Sequence, residues 1–283
     1  MNTTPLLCVL TVTAVAFAAV TGTQAALVHS YDAADAANTN TSWNDSVGSV
    51  DAAFSGGSAV SSVSSANTVF TNAYTVSSSS SRGDLGTSYI SGTNLTLELW
   101  FRRDLDATVS TPQILFDGGG ASSGFSLLYQ NTDGLTPELR VMAIGGGGGK
   151  DDFTLSLSSF DDTDFIMSAV VFDDANDLVS LYASGAAGGS ASINEARTFT
   201  SIAGNDNSNV FGSPQANTGG NNGNIALVSA ENTEIALFNI YNNATNAAGI
   251  STLFNAQLIP EPGTSAMLLL GGAALFLRRN RRK

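Results

Sequence analysis

Leu95-Thr96-Leu97-Glu98-Leu99-Trp100-Phe101-Arg102-Arg103 is the stretch on which the fold class turns. Leu95, Leu97, Leu99 and Phe101 fall on one side of an extended chain, and Thr96, Glu98, Trp100 and Arg102 on the other. Strict alternation at period two predicts a strand with one face in a core and the other toward solvent.

The same reading extends in both directions. Downstream, Gln113 to Asp117 leads into a Gly118-Gly119-Gly120 turn, and Gly124 to Gln130 alternates again through Phe125, Leu127 and Tyr129. Glu138 to Ile144 and Phe153 to Leu157 follow. Phe165 to Phe172 is nearly all apolar, as a central strand buried on both faces should be. Leu178 to Ser184 pairs with it across an Asp173-Asp174-Ala175-Asn176-Asp177 turn, and Ile225 to Val228 and Glu234 to Tyr241 close the set. Upstream, Val28 to Tyr31, Thr68 to Tyr74 and Thr87 to Ile90 are shorter candidates. One short helix is expected from near Ala247 to before Leu258, capped by Asn246 with Ile250, Leu253 and Phe254 as its apolar stripe. Many short strands separated by Gly, Asn and Asp turns predict an all-β sandwich.

Composition agrees and excludes several functions. Gly, Ser, Asn, Thr and Ala abound, while the strong helix formers Lys, Glu and Arg are scarce. The formal net charge is −13, and five of the eleven basic residues sit in the last six positions. Between Ala26 and Ile259 there are 6 basic and 23 acidic residues, a net −17. Such a surface is a poor binder of nucleic acid, which needs clustered Lys and Arg. The one cysteine, Cys8, lies in the apolar N-terminal run, so disulfides, thiolate metal sites and cysteine nucleophiles are excluded from the body.

Both ends read as addresses. Leu6 to Val20 is apolar, and Thr23-Gln24-Ala25 places small residues before a cut after Ala25. Residues 1–25 therefore read as a signal peptide for signal peptidase, although Met1 to Pro5 lacks Lys and Arg. An uncleaved anchor is the alternative, but the run is short for a span. At the other end come Pro260-Glu261-Pro262-Gly263, an apolar stretch from Thr264 to Leu277, and Arg278-Arg279-Asn280-Arg281-Arg282-Lys283. The prolines end the domain, the apolar stretch enters a bilayer, and the basic cluster stays on the cytoplasmic side. This three-part order resembles the PEP-CTERM sorting signal of Gram-negative bacteria. The resemblance implies recognition at Pro260, Glu261, Pro262, Arg278 and Arg279 by an exosortase, passage through the inner membrane, and association with exopolysaccharide. An ordinary tail anchor is the alternative.

Within the body, Leu95 to Phe101 resembles the strand that opens the middle of LamG-like domains. Ile114-Leu115-Phe116-Asp117-Gly118-Gly119-Gly120 followed by Gly124-Phe125-Ser126-Leu127 is similar to their next hairpin. Ser168-Ala169-Val170-Val171-Phe172-Asp173 and Val179-Ser180-Leu181-Tyr182-Ala183-Ser184-Gly185 resemble their most recognisable one, with Ser184 where the family usually has Asn or Asp. Glu234 to Tyr241 is similar to the closing strand. The resemblance, from Leu95 to Phe254, implies an antiparallel jelly-roll β-sandwich of the concanavalin A/laminin G kind over residues 26–259.

The laminarinase-like branch of the fold carries Glu-x-Asp-x-x-Glu on one strand, with carboxyls about 5 Å apart. Glu231 and Glu234 are the closest pair here and lack the intervening Asp. The lone histidine, His29, would have to serve any Ser-His-Asp triad, but no Gly-x-Ser-x-Gly elbow accompanies it, and a surface or edge-strand position is expected instead. Gly145 to Gly149 with Lys150 fails as a phosphate loop, because Asp151 replaces the hydroxyl residue and a strand follows. Two Asp clusters remain, Asp161, Asp162 and Asp164, and Asp173, Asp174 and Asp177. Calcium takes about six to eight oxygen ligands, so the second cluster is the candidate calcium site, with turn chemistry as the alternative. Trp43, Trp100, Tyr129 and Tyr182 are the candidate sugar platforms; Trp43 sits in a polar loop, while Trp100 and Tyr182 lie in strands, where core or cross-strand packing is the alternative. The expected function is non-catalytic: a cell-surface or matrix protein that binds carbohydrate or adheres. A glycoside hydrolase-like enzyme and a purely structural coat component are the alternatives.

Overall fold

The computed structural model describes residues 25–258, apart from 57–59, 64–68, 79, 87–89, 93, 121–122, 146–147, 187, 197–201, 205–209, 213–219 and 222–224. The apolar N-terminal run and the tail, including Pro260, Glu261, Pro262, Arg278 and Arg279, lie outside the described residues. Ala25 is the first residue described.

Two sheets face each other. The first runs in the spatial order Ser190–Ala196, Leu178–Gly185, Ile166–Asp173, Leu95–Arg102, Thr233–Tyr241, Asn72–Val76 and Val60–Ser62. The free side of Thr233–Tyr241 is shared: Asn72–Val76 pairs with its start and Leu27–Asp32 with its end, from Leu27 opposite Tyr241 to Asp32 opposite Leu237. The second sheet runs Lys150–Ser156, Glu138–Ile144, Ser123–Asn131, Val109–Gly120, Val210–Phe211, Arg82–Asp84, Ala52–Ser55 and Ser42–Trp43. Val228–Ser229 pairs in parallel with Val109–Gly120, and Ile90–Gly92 makes a small separate ladder with Ile202–Gly204. The Gly145–Gly149 segment is the expected hairpin loop, closed by the Gly145 amide on the Gly149 carbonyl at 3.1 Å. At the Val109–Gly120/Ser123–Asn131 hairpin a side chain on Gly124 (φ +122°) would meet the Gly118 carbonyl oxygen at 2.2 Å, so only glycine fits.

The core between the sheets is aromatic. Phe238 stands against Phe116 at 4.9 Å and Phe211 at 4.6 Å, and Phe125 meets Phe172 at 5.2 Å. Each ring of this size contributes roughly 2–3 kcal/mol by leaving water. Trp43 joins this core fully buried, stacked on Tyr74 at 5.9 Å and edge-on to Tyr31 at 5.8 Å. Its polar sequence neighbours had placed it in a loop. Three rings from distant segments bury it instead.

The Leu95–Arg102 strand departs from the half-buried expectation, since all eight residues are buried. The reason is α1, the helix Ala247–Leu258, which lies on the outer face of the first sheet. Asn246 caps it, its carboxamide oxygen accepting from the Gly249 amide at 2.9 Å. Phe254 stacks on Trp100 at 5.5 Å with the rings 5° from parallel. A second apolar cluster of Trp100, Met167, Ala169, Val171, Phe165 and Ile250 fills the space between helix and sheet. Glu98, on the same face as Trp100, is 1% exposed and fully engaged. It accepts from Trp100 Nε1 at 2.7 Å, from its cross-strand partner Asn239 at 2.9 Å, and from the Tyr241 hydroxyl at 2.8 Å. Burial and the Glu98 charge together push the Tyr241 hydroxyl far above its ordinary range. The expected strand at Ile225 to Val228 is mostly irregular. Ile225 and Leu227 cover Ile114, Leu128 and Met142 on the outside of the second sheet.

Candidate functional site

Antiparallel pairing brings three segments to one end of the first sheet. Leu95–Arg102 ends there, Ile166–Asp173 begins there with Ile166 opposite Phe101, and Thr233–Tyr241 begins there with Glu234 opposite Arg102. The loops they carry enclose a cleft of about 540 Å³. It is lined by Thr75, Arg102, Arg103, Asp104, Asp162, Thr163, Asn232 and Glu234. Asn232 turns the chain in the left-handed region (φ +62°), where Asn is among the residues best tolerated.

The cleft floor is electrostatically closed. Arg102 donates from Nε and Nη2 to Glu234 Oε2 at 2.9 and 2.5 Å, with both side chains less than a tenth exposed. Its guanidinium also lies over the Phe165 ring at 4.9 Å. Arg103 lies 3.8 Å over the Tyr129 ring and donates through Nη1 to the Gln113 side-chain oxygen. Burial lowers the proton affinity of Arg103 and raises that of the Tyr129 hydroxyl, which donates to the Leu105 carbonyl at 3.0 Å. Above this floor, Asp104 and Asn232 are exposed and Asp162 is half-buried, so acceptors and an amide line the rim.

The carboxylates named from sequence disperse. Asp173 accepts from the Asn176 amide at 3.3 Å and the Asn176 side chain at 2.7 Å. The Asp174 amide donates to Asn94 at 2.9 Å, and Asp177 sits at φ +50° to close the hairpin. These are turn roles. Among the described residues no group of three or more His, Cys, Asp or Glu is placed to hold a metal ion. Asp161 likewise serves its own loop, accepting from the Thr163 amide and hydroxyl, which lower its pKa. Glu231 is exposed, while Glu234 is tied to Arg102. Of the candidate platforms, Trp43, Trp100 and Tyr129 are fully buried, and Tyr182 alone is half-exposed, on the outer face of the first sheet.

His29 was expected on an edge strand, and it lies in Leu27–Asp32 with its Nδ1 2.6 Å from Asp45 Oδ2. Sequence reasoning missed this pair and the Arg102–Glu234 pair. No spacing rule connects residues 132 positions apart, although both lie on strands whose alternation was visible.

No curated protein matches the chain. A family model described as the concanavalin A-like lectin/glucanases superfamily matches residues 76–251. The PEP-CTERM protein-sorting motif matches residues 258–283, which marks an exported, cell-surface protein and implies processing by an exosortase. Among solved structures, the receptor-binding domain of botulinum neurotoxin mosaic serotype C/D superposes with a TM-score of 0.53 at 13% identity, over 82% of this chain and 51% of that one. Trypanosoma rangeli sialidase in complex with sialic acid gives 0.53 at 15% identity, over 82% and 33%. Domain 4 of an extracellular arabinanase from Geobacillus stearothermophilus, in complex with arabinotriose, gives 0.51 at 14% identity, over 81% and 98%. The chain thus spans about half of the toxin domain and a third of the sialidase, and at these identities the likeness is one of fold. The two facing sheets, the hairpins that build them and the family match across 76–251 place this chain in the concanavalin A-like lectin/glucanase superfamily, with a PEP-CTERM sorting motif at its C-terminus.

Proposed function

We infer that the mature protein is a non-catalytic carbohydrate-binding or adhesive module on the outer surface, or in the extracellular matrix, of a Gram-negative bacterium. On this reading signal peptidase cuts after Ala25. The body runs from residue 26 to 259, and the tail 260–283 is held in the inner membrane with Arg278 and Arg279 on the cytoplasmic side until exosortase acts at Pro260-Glu261-Pro262. The observation that carries the binding role is the cleft at the sheet end. A fixed Arg102–Glu234 floor and a rim of Asp104, Asp162 and Asn232 set donors beside acceptors, the arrangement that pairs with sugar hydroxyls. Glu234 is occupied by Arg102, so the Glu231/Glu234 pair is not available as the acid pair that glycoside hydrolysis needs.

The test is a glycan-binding screen of the body Ala26 to Ile259, with and without calcium. Saccharide binding that weakens about tenfold in Asp162→Ala is expected, since a charged hydrogen bond is worth roughly 1.5–3 kcal/mol. Binding unchanged in that variant would remove the cleft from the reading. Release of shortened sugars would favour the hydrolase alternative, and a blank screen the structural coat.

A further inference from the structure

We propose that the outer face of the first sheet around Tyr182 is a second docking surface, and that its occupant is an uncharged polysaccharide chain. This rests on the carbohydrate-binding reading above but uses a different part of the molecule. Tyr182 lies opposite Ser192 on one side and Ala169 on the other. Its neighbours on the same face of Leu178–Gly185 are Ser180 and Ser184, which lie opposite Asn194 and Ser190. Ser190, Ser192 and Asn194 are exposed, Tyr182 and Ser184 half-buried, and Ser180 6% exposed. The ring leans on the apolar cluster under α1, and no hydrogen bond of its hydroxyl falls among the described residues.

Three features select the occupant. The six residues carry no charge, in a body with 23 acidic and 6 basic residues, so a polyanion is repelled by the surroundings and a basic partner has stronger sites elsewhere. A rigid Tyr amid Ser and Asn is the composition of adaptable polar recognition, the ring offering an apolar face and the hydroxyls and amide offering hydrogen bonds. The polar groups repeat at the sheet's own pitch, about 4.8 Å across strands and about 6.8 Å along them. A periodic row of this kind matches an extended polymer with many hydroxyls better than a single small sugar.

The experiment is co-sedimentation of the full-length protein in detergent, with the body Ala26 to Ile259 in parallel, on insoluble cellulose and curdlan, with alginate as the acidic control. Tyr182→Ala and Ser192→Glu are compared with the conservative Tyr182→Phe. Circular dichroism and thermal melting confirm that each variant is folded. The expected result is wild-type binding to a neutral glucan and not to alginate. That binding should fall about fivefold to tenfold in Tyr182→Ala, as loss of one aromatic contact implies, fall similarly in Ser192→Glu, and persist in Tyr182→Phe. Equal binding by the Tyr182 and Ser192 variants would overturn this surface and leave the cleft as the site. Retention on alginate instead of glucan would overturn the assignment of an uncharged occupant. Failure of the wild type on every glycan, with Ser192→Glu abolishing self-association, would make the face a contact between copies and overturn the proposal.

Discussion

Asp45 shows how one carboxylate can organise residues 29–51 at the start of the sandwich. Its Oδ1 accepts from the backbone amides of Ser30 at 3.0 Å, Val47 at 3.3 Å and Gly48 at 2.9 Å, and its Oδ2 from Val50 at 3.3 Å beside His29 at 2.6 Å. Burial alone would raise its pKa. The His29 contact and the amides of Ser30, Gly48 and Val50 outweigh it and hold the group below the ordinary 3.8. Replacing Asp45 by Ala strands these donors, and a loss of roughly 2–3 kcal/mol in urea unfolding is expected. An unchanged midpoint would show that the 45–51 loop holds without it. The pH dependence has a definite sign. A carboxyl whose pKa drops on folding adds stability that is complete above its unfolded value and is lost as pH falls through the folded one. The gap between wild type and Asp45→Asn should therefore hold from pH 7 to about pH 5 and close below about pH 4. None of this could be read from the chain, because an Asp flanked by Asn44 and Ser46 looks like any turn.

At the scale of elements, α1 converts an ordinary sheet face into a second core. The alternation of Leu95 to Phe101 named the strand and its inward residues correctly, and Ile250, Leu253 and Phe254 were visible as an apolar stripe. That the stripe lands on Trp100 was not visible, since the partners are separated by about 150 residues and nothing local encodes the docking. The same blindness explains Trp43, whose burial is supplied by Tyr31, Tyr74 and Phe211 from three other segments. Phe254→Ala should cost about 2–3 kcal/mol, the range for losing a stacked ring and opening a cavity beside Trp100. Trp100 fluorescence should shift to the red in that variant. A blue spectrum retained with full stability would mean that α1 holds without this contact.

At the scale of the whole molecule, charge dominates. The few cations described are spent on partners within the fold: Arg82 on Asp84, Arg102 on Glu234, Arg140 on Asp152 in a two-pronged contact at 2.7 Å. The 23 carboxylates of the body far outnumber its 6 basic residues, and the excess negative charge repels itself. Raising sodium chloride from 10 mM to 500 mM should raise the melting temperature by several degrees through screening. A melting point independent of salt would show that the acidic groups lie too far apart to matter. The pairing of Leu27–Asp32 with the end of Thr233–Tyr241 sets a clock on assembly. At roughly 5–20 residues per second of synthesis, more than two hundred residues must follow before the first strand meets its partner, a wait on the order of ten to forty seconds. The segment that waits is LVHSYDAADAANTN, with two aspartates and two asparagines among its residues, a composition that stays in water rather than seeking another chain.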